Sequence, residues 1–298
     1  MSEAGFGEGD YQNLFATEEQ CAGILADRRV RACKFTGSTA GGKNVAVLCA
    51  QNMKKGCFEL GGSDPFVVLK DADLERAVEA AYASRMGNTG QACINAKRFI
   101  VASPVYDEFR DRLVEKIRST AVIGDPMEHG TNVGPLAMAR AKENLLRQLA
   151  MATSEGGARV THGDLGFNIG ATNPELKDGN YVEPIVLEGM SPESNAYHEE
   201  LFGPVFNLFK VGTSEEALDL ANNSDYGLAS TVFTEDPDEA ANAAKHLSAG
   251  SVFVNDCVAS GSEYPGGGIK GSGYGRECYS DGLLDTANRK TIITRNRQ

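Results

Sequence analysis

The sequence has no tryptophan, only four histidines, and no two cysteines spaced C-x-x-C. Scattered single histidines without paired cysteines exclude a zinc knuckle or a redox dithiol, and no metal site is expected. Basic residues are also in deficit, 29 against 41 acidic, and the net charge of -12 would repel nucleic acid phosphates and anionic lipid over most of the surface. Neither nucleic acid nor a membrane is an expected partner. No window of about 18 apolar residues exists to span a bilayer, and the start MSEAGFGEGD is acidic with no apolar run, unlike a signal peptide. A cytoplasmic location, or an organelle matrix, is expected.

What is present describes a globular chain: 298 residues, 41% hydrophobic and 23% charged, enough for one large domain or two smaller ones. Seven cysteines, at 21, 33, 49, 57, 93, 257 and 278, make an odd count that suits a reducing compartment. Most should be small buried hydrophobes.

Strand-like and helix-like segments alternate. An opening strand and turn lead to a short stripe of Val45, Leu48 and Met53, and then to the strand GCFELGG. A helix from about Asp73 carries Leu74, Val78, Ala81 and Tyr82 on one face, with Gly87 to stop it before the turn NTGQAC. KRFIVAS reads as a strand, and VYDEFRDRLVEKI places Tyr106, Phe109, Leu113 and Ile117 on one stripe. YVEPIVLEGM, VFNLFKVG, LASTVFTED and GSVFVND are further strands. Helix starts are marked by a capping box from Thr213 to Glu216 and by Asp236 before Pro237. Residues 156–180 lack periodicity and read as a surface excursion. Strands separated by helices imply an α/β fold with mainly parallel sheets.

The stretch VRACKFTGSTAGGKN, Val30 to Asn44, nearly spells a triphosphate-binding loop. Gly37, Gly42 and Lys43 fit its spacing, but Asn44 stands where that loop needs a magnesium-binding hydroxyl. A glycine turn opening a helix suits any phosphate, so the turn alone does not choose between ligands. Two other stretches do. CFELGGSDPF puts Glu59 at the end of an apolar strand, and NTGQACI puts Cys93 in a tight turn after a helix. A thiol and a carboxylate in one cleft suit covalent catalysis, with a thiolate attacking a carbonyl and the carboxylate activating water.

FTGSTAGG, ELGGSDPF, GNTGQACINAKRF, EELFGPV and GYGRE resemble, in order and spacing, the signatures of the aldehyde dehydrogenase superfamily. NTGQ-x-C with AKRFI is most similar to its bacterial succinate-semialdehyde dehydrogenase branch. The resemblance implies an aldehyde dehydrogenase-like fold: a partial Rossmann-type cofactor-binding domain, a complete α/β catalytic domain, and a C-terminal oligomerisation strand. It divides the chain into the second half of the dinucleotide-binding domain (1–62), a catalytic domain (63–258), a segment returning to the cofactor domain (259–285) and the oligomerisation strand (286–298). It implies Cys93 as nucleophile and Glu59 as general base. Gly37, Ser38, Gly42 and Leu60 would lie beside NAD or NADP, with Glu200 and Phe202 near the nicotinamide ribose and ring. The substrate would be a small aldehyde, and the assembly a homo-oligomer.

Departures accompany the resemblance. The family's proline-tryptophan-asparagine motif, source of an oxyanion donor, has no counterpart in a chain without tryptophan. The expectation is an N-terminally shortened member, either an NAD(P)-dependent enzyme or a non-catalytic homologue serving as an interaction or scaffold protein. In YPGGGIKGSG, Gly266 replaces an expected phenylalanine. Cys257 would line the aldehyde pocket, and Arg98 and Arg276 are candidates to anchor a substrate carboxylate, although a packing or surface role suits each better.

Overall fold

Patterning and capping account for most element boundaries in the computed structural model, which describes residues 2–295. A capping box between Thr17 and Gln20 starts helix α1 (Glu18–Ala26), and strand β1 (Ala32–Thr36) runs through the glycine turn into α2 (Thr39–Gln51). Strands β2 (Lys55–Glu59) and β3 (Pro65–Val68) precede α3 (Leu74–Met86), which Asp73 caps through the Arg76 N–H. Next come β4 (Arg98–Ala102), α4 (Ser103–Thr120), α5 (Ala139–Ser154), β5 (Arg159–His162), β6 (Ile185–Glu188), α6 (Asn195–His198) and β7 (Val205–Val211). The chain continues with α7 (Ser214–Asn222), β8 (Tyr226–Gly227), β9 (Ala229–Phe233), α8 (Pro237–His246) and β10 (Ser251–Val254). It closes with β11 (Ile269–Lys270), β12 (Gly273–Tyr274) and α9 (Tyr279–Thr286).

The strands form a seven-stranded sheet in the order β10-β9-β3-β4-β7-β6-β5, a three-stranded sheet β1-β2-β12, and the short pair β8–β11. In the larger sheet every neighbouring pair is parallel except β5–β6. Alternation along each strand sends side chains to two cores. Phe66, Phe99, Phe206 and Phe233 meet α3 and α4 on one face, while Val67, Ile100, Ile185 and Leu187 meet α5 to α8 on the other. The stripe of α4 buries Tyr106, Phe109, Leu113 and Ile117, as its periodicity predicts. In the smaller sheet β1 and β2 are parallel and β12 pairs antiparallel with β2. No helix among the described residues is long and apolar enough to cross a membrane.

Several expectations need revision. β3, not separated from the preceding motif in the sequence, is a central strand between β9 and β4. Its four residues PFVV are buried on both faces, so no alternation betrays them. Residues 156–180 are more than an excursion, since they supply β5, an antiparallel edge strand with a bulge between Val160 and His162. Met53 lies beyond the end of α2 at φ 50° and is 92% exposed, off the apolar stripe. At Thr213 only half of the capping box forms, because the Glu216 carboxylate accepts from the Gly212 N–H. Thr286, the first residue expected of the C-terminal strand, ends α9, and residues 287–295 pair with no described strand of the same chain. Residues 296–298 lie outside the described residues.

Candidate active site

The turn carrying Cys93 is shaped before the thiol is reached. After α3, Asn88 (φ 53°), Thr89 (φ 56°) and Gly90 (φ 75°) take left-handed backbone conformations, costly for a β-branched threonine. A side chain at position 90 would overlap the Gly203 carbonyl, so only glycine fits. Three polar side chains hold the strained turn. Gln91 Nε2 donates to Asn88 O (3.1 Å) while its Oε1 accepts from the Ala137 N–H (2.8 Å). Thr89 Oγ1 accepts from the Gly134 N–H (3.1 Å), and Asn95 Oδ1 from the Ala92 N–H (2.6 Å). Fully buried Arg85 donates to the carbonyls of Ala96 (3.0 Å), Gly90 (3.2 Å), Leu201 (2.6 Å) and Gly203. Cys93 is thereby fixed, half-buried, just before β4 at the amino ends of the central strands.

Around the sulfur the charges are dense. Burial raises the Cys93 pKa, Lys97 opposes that rise, and the carboxylates of Asp64, Glu200 and Glu59 reinforce it. Asp64, fully buried, is itself raised to about 7 by burial against the pull of Lys97. Glu59 reaches the site from the carboxyl end of β2, and burial, with Glu277 beside it, raises its pKa to about 7. Its Oε1 is buried without a hydrogen-bond partner. The cavity it lines, about 70 Å³, also takes Ile94, Phe253, Val258, Tyr264 and Glu277, and has room for about two waters.

The glycine turn opens at the carboxyl ends of β1 and β2, on the same edge as Glu59. Ser38 caps α2, its Oγ accepting from the Gly41 N–H (3.1 Å) with its own proton left to donate. A side chain at position 42 would strike Leu60, so Gly42 lets α2 press onto the end of β2. Leu60 is 6% exposed, and its side chain belongs to this packing. Thr39, Lys43, His198 and Lys270 line an open depression of about 650 Å³ beside the helix start. A helix N-terminus with lysines at its rim has the donor chemistry for a pyrophosphate. Glu200 is turned inward, pairing with Lys97 (3.1 Å) and accepting from the Gly62 N–H (3.1 Å), whereas Phe202 is exposed.

Other candidates are placed differently. The Cys257 thiol donates to Ala80 O on α3 (3.2 Å), and its neighbours Val258 to Gly261 line the cavity. Arg98 is committed to Ser63 O, Tyr197 Oη, Leu220 O and Ala221 O, and Arg276 to Gly268 O and Gly275 O. Both tie loops together. Nothing lies within 4 Å of a side chain added at Gly266. A separate depression, about 1010 Å³, sits at the opposite end of the seven-stranded sheet among Tyr106, Arg110, Arg159, Glu188 and Lys210, away from Cys93. Arg85, Asp64 and Lys97 are parts of the site that sequence reading passed over. Lys97 and Asp64 stood inside the quoted motifs, but only the fold reveals both charges as buried.

Comparison with known proteins decides the family, because the model of the Aldehyde dehydrogenase family matches residues 1–292. The chain belongs to the aldehyde dehydrogenase family. It is 41% identical over 290 residues to a succinate-semialdehyde dehydrogenase [NADP(+)] of Deinococcus radiodurans, covering 97% of this chain and 59% of that protein. An aldehyde dehydrogenase of Paenarthrobacter nicotinovorans is 40% identical, with 99% of this chain and 62% of the relative covered. The structure superposes with a TM-score of 0.92 on the succinic semialdehyde dehydrogenase of Streptococcus pyogenes solved with NADP+, at 37% identity, over 99% of this chain and 63% of that one. This aldehyde dehydrogenase family chain thus spans about three fifths of the length of the relatives it matches.

Proposed function

We propose that the chain oxidises a small aldehyde to its carboxylic acid with NAD or NADP, using Cys93 as nucleophile and Glu59 as general base. The observation that carries this reading is a half-buried thiol that feels the charge of a carboxylate whose pKa is raised to about 7, with that carboxylate and Ile94, the residue after the thiol, lining one cavity, and a glycine turn that opens a helix on the same sheet edge as the carboxylate. Relatives named for succinate semialdehyde and for NADP+ support a semialdehyde as substrate and a nicotinamide dinucleotide as cofactor. Residues 1–62 would serve the cofactor and residues 63–258 the aldehyde, with 259–285 returning to the cofactor side and 286–298 joining copies into a homo-oligomer in the cytoplasm.

In this mechanism the Cys93 thiolate adds to the aldehyde carbon, forming a C–S bond. The Cys93 N–H donates to the oxyanion, where preorganised donors are worth most. When bound, the dinucleotide supplies the acceptor for the hydride that leaves this carbon. The Ser38 hydroxyl, the first-turn N–H groups of α2 and Lys43 would hold its pyrophosphate, Glu200 its ribose, and Phe202 would face its ring. A thioester remains on Cys93. Glu59 takes a proton from water, hydroxide adds to the thioester carbon, and the C–S bond breaks to release acid and thiolate.

Cys93→Ser should lower aldehyde-dependent cofactor reduction by about 10³-fold or more, since a serine hydroxyl is not ionised at neutral pH. Cys257→Ser should leave most activity. Rates measured with saturating aldehyde and NADP+ decide the matter, and the reverse ranking would overturn the assignment. Purified chain that reduces no cofactor with any aldehyde, mutated or not, would favour the non-catalytic alternative.

A further inference from the structure

Three acceptors converge on one buried ammonium behind the nucleophile. Lys97, whose side chain is 1% exposed, donates from Nζ to Cys93 O (2.5 Å) and Ala92 O (3.1 Å) and pairs with Glu200 Oε1 (3.1 Å). An ammonium has three donors, so all are used. Burial of such a charge is tolerated only where it is paired and hydrogen-bonded, as here. Glu200, Asp64 and Arg85 are the charged groups facing it, and burial lowers its pKa against the pull of the two carboxylates. Cys93 faces Lys97, Asp64, Glu200 and Glu59, one cation among three acids.

We propose that Lys97 is a positioning residue for Cys93: its ammonium fixes the two carbonyls of the nucleophile turn and sets a positive charge among the carboxylates around that turn. The residue does not touch the reacting atoms in this account. It acts through the turn and through its charge. Because the Cys93 carbonyl and the Glu200 carboxylate share this one ammonium, the nucleophile turn and the 199–204 loop are held in register. The inference rests on Cys93 being the nucleophile, but its test requires no turnover.

The test is the pH dependence of iodoacetamide alkylation at Cys93 in the full chain, read by mass spectrometry of the Cys93 peptide so that the other thiols do not interfere. Lys97→Gln keeps N–H donors for the carbonyls but removes the charge. Its inflection should move up by about one pH unit, with alkylation at pH 7.5 roughly tenfold slower. Lys97→Arg should return the inflection toward that of the unaltered chain, which a purely structural role would not require. A folded Lys97→Gln chain with an unmoved inflection would overturn the proposal. If that variant does not fold, the unaltered chain decides. There Cys93 should alkylate with a lower inflection than Cys257, another half-buried thiol whose charged neighbour is Asp256 rather than an ammonium. An equal or higher inflection at Cys93 would overturn the proposal. Activity retained by Cys93→Ser would instead remove the nucleophile reading while leaving the alkylation result to stand by itself.

Discussion

The two halves of the candidate active site stand on sheets of different depth. In the seven-stranded sheet, Phe66, Val67, Val68, Phe99, Ile100 and Val101 are fully buried, with helices on both faces. In the three-stranded sheet the buried cluster is only Leu25, Cys49, Phe58 and Leu60, and no residue of β1 is fully buried. The Cys93 turn and Lys97 belong to the deep sheet, whereas Glu59 and the glycine turn belong to the shallow one. Local stability follows buried apolar contact, so the Cys93 thiol should be held more firmly than Glu59 and the glycine turn. Residues 60–64 and the return strand β12 connect the two, with the Leu60 N–H donating to Ser272 O (3.0 Å) and Ser272 Oγ donating to Gly61 O (2.6 Å).

The comparison breaks most visibly in the cores. Phe99→Ala should cost about 3–5 kcal/mol, because Phe99 packs between Phe66 and Phe206 with ring centroids 5.4 and 5.3 Å away. Phe35→Ala, half-buried on β1, should cost only about 1 kcal/mol. Urea unfolding of both variants measures the difference, and equal losses would mean that the two sheets share one cooperative core.

A smaller effect sharpens the contrast through pH. The Glu59 pKa rises from 4.5 to about 7 on folding, so the protonated group fits its site better than the carboxylate does. Its contribution to stability is fully present below pH 4.5 and is lost as the pH rises to about 7. Glutamine imitates the protonated form. Glu59→Gln should therefore raise Tm by about 2 °C at pH 8 and by almost nothing at pH 4. Melting curves that differ equally at both pH values would show that burial does not hold Glu59 near neutrality.

The deep sheet was the more legible of the two. The stripe of α4 follows from periodicity, and the strands from KRFIVAS to GSVFVND from short apolar runs separated by helical segments. PFVV escaped because it is only four residues long and follows GGSD directly, so it reads as the tail of the motif that carries Glu59. α1 escaped because its only buried residue is Leu25, which leaves no stripe to read. Cys93 and Glu59 were visible through their motifs, and the structure brings them to one cavity wall and the turn behind it. Arg85 was not visible. A buried arginine whose partners are carbonyls at positions 90, 96, 201 and 203 leaves no local sequence signal.

The nucleophile and base assignments are tested most directly by trapping the covalent intermediate. Glu59→Gln should slow thioester hydrolysis more than acylation, so a chain incubated with succinate semialdehyde and NADP+, then quenched in acid, should carry the acyl mass on the Cys93 peptide. The unaltered chain should carry far less. Reduced cofactor forming with no acyl mass at Cys93 in either chain, or with that mass on Cys257, would contradict the account.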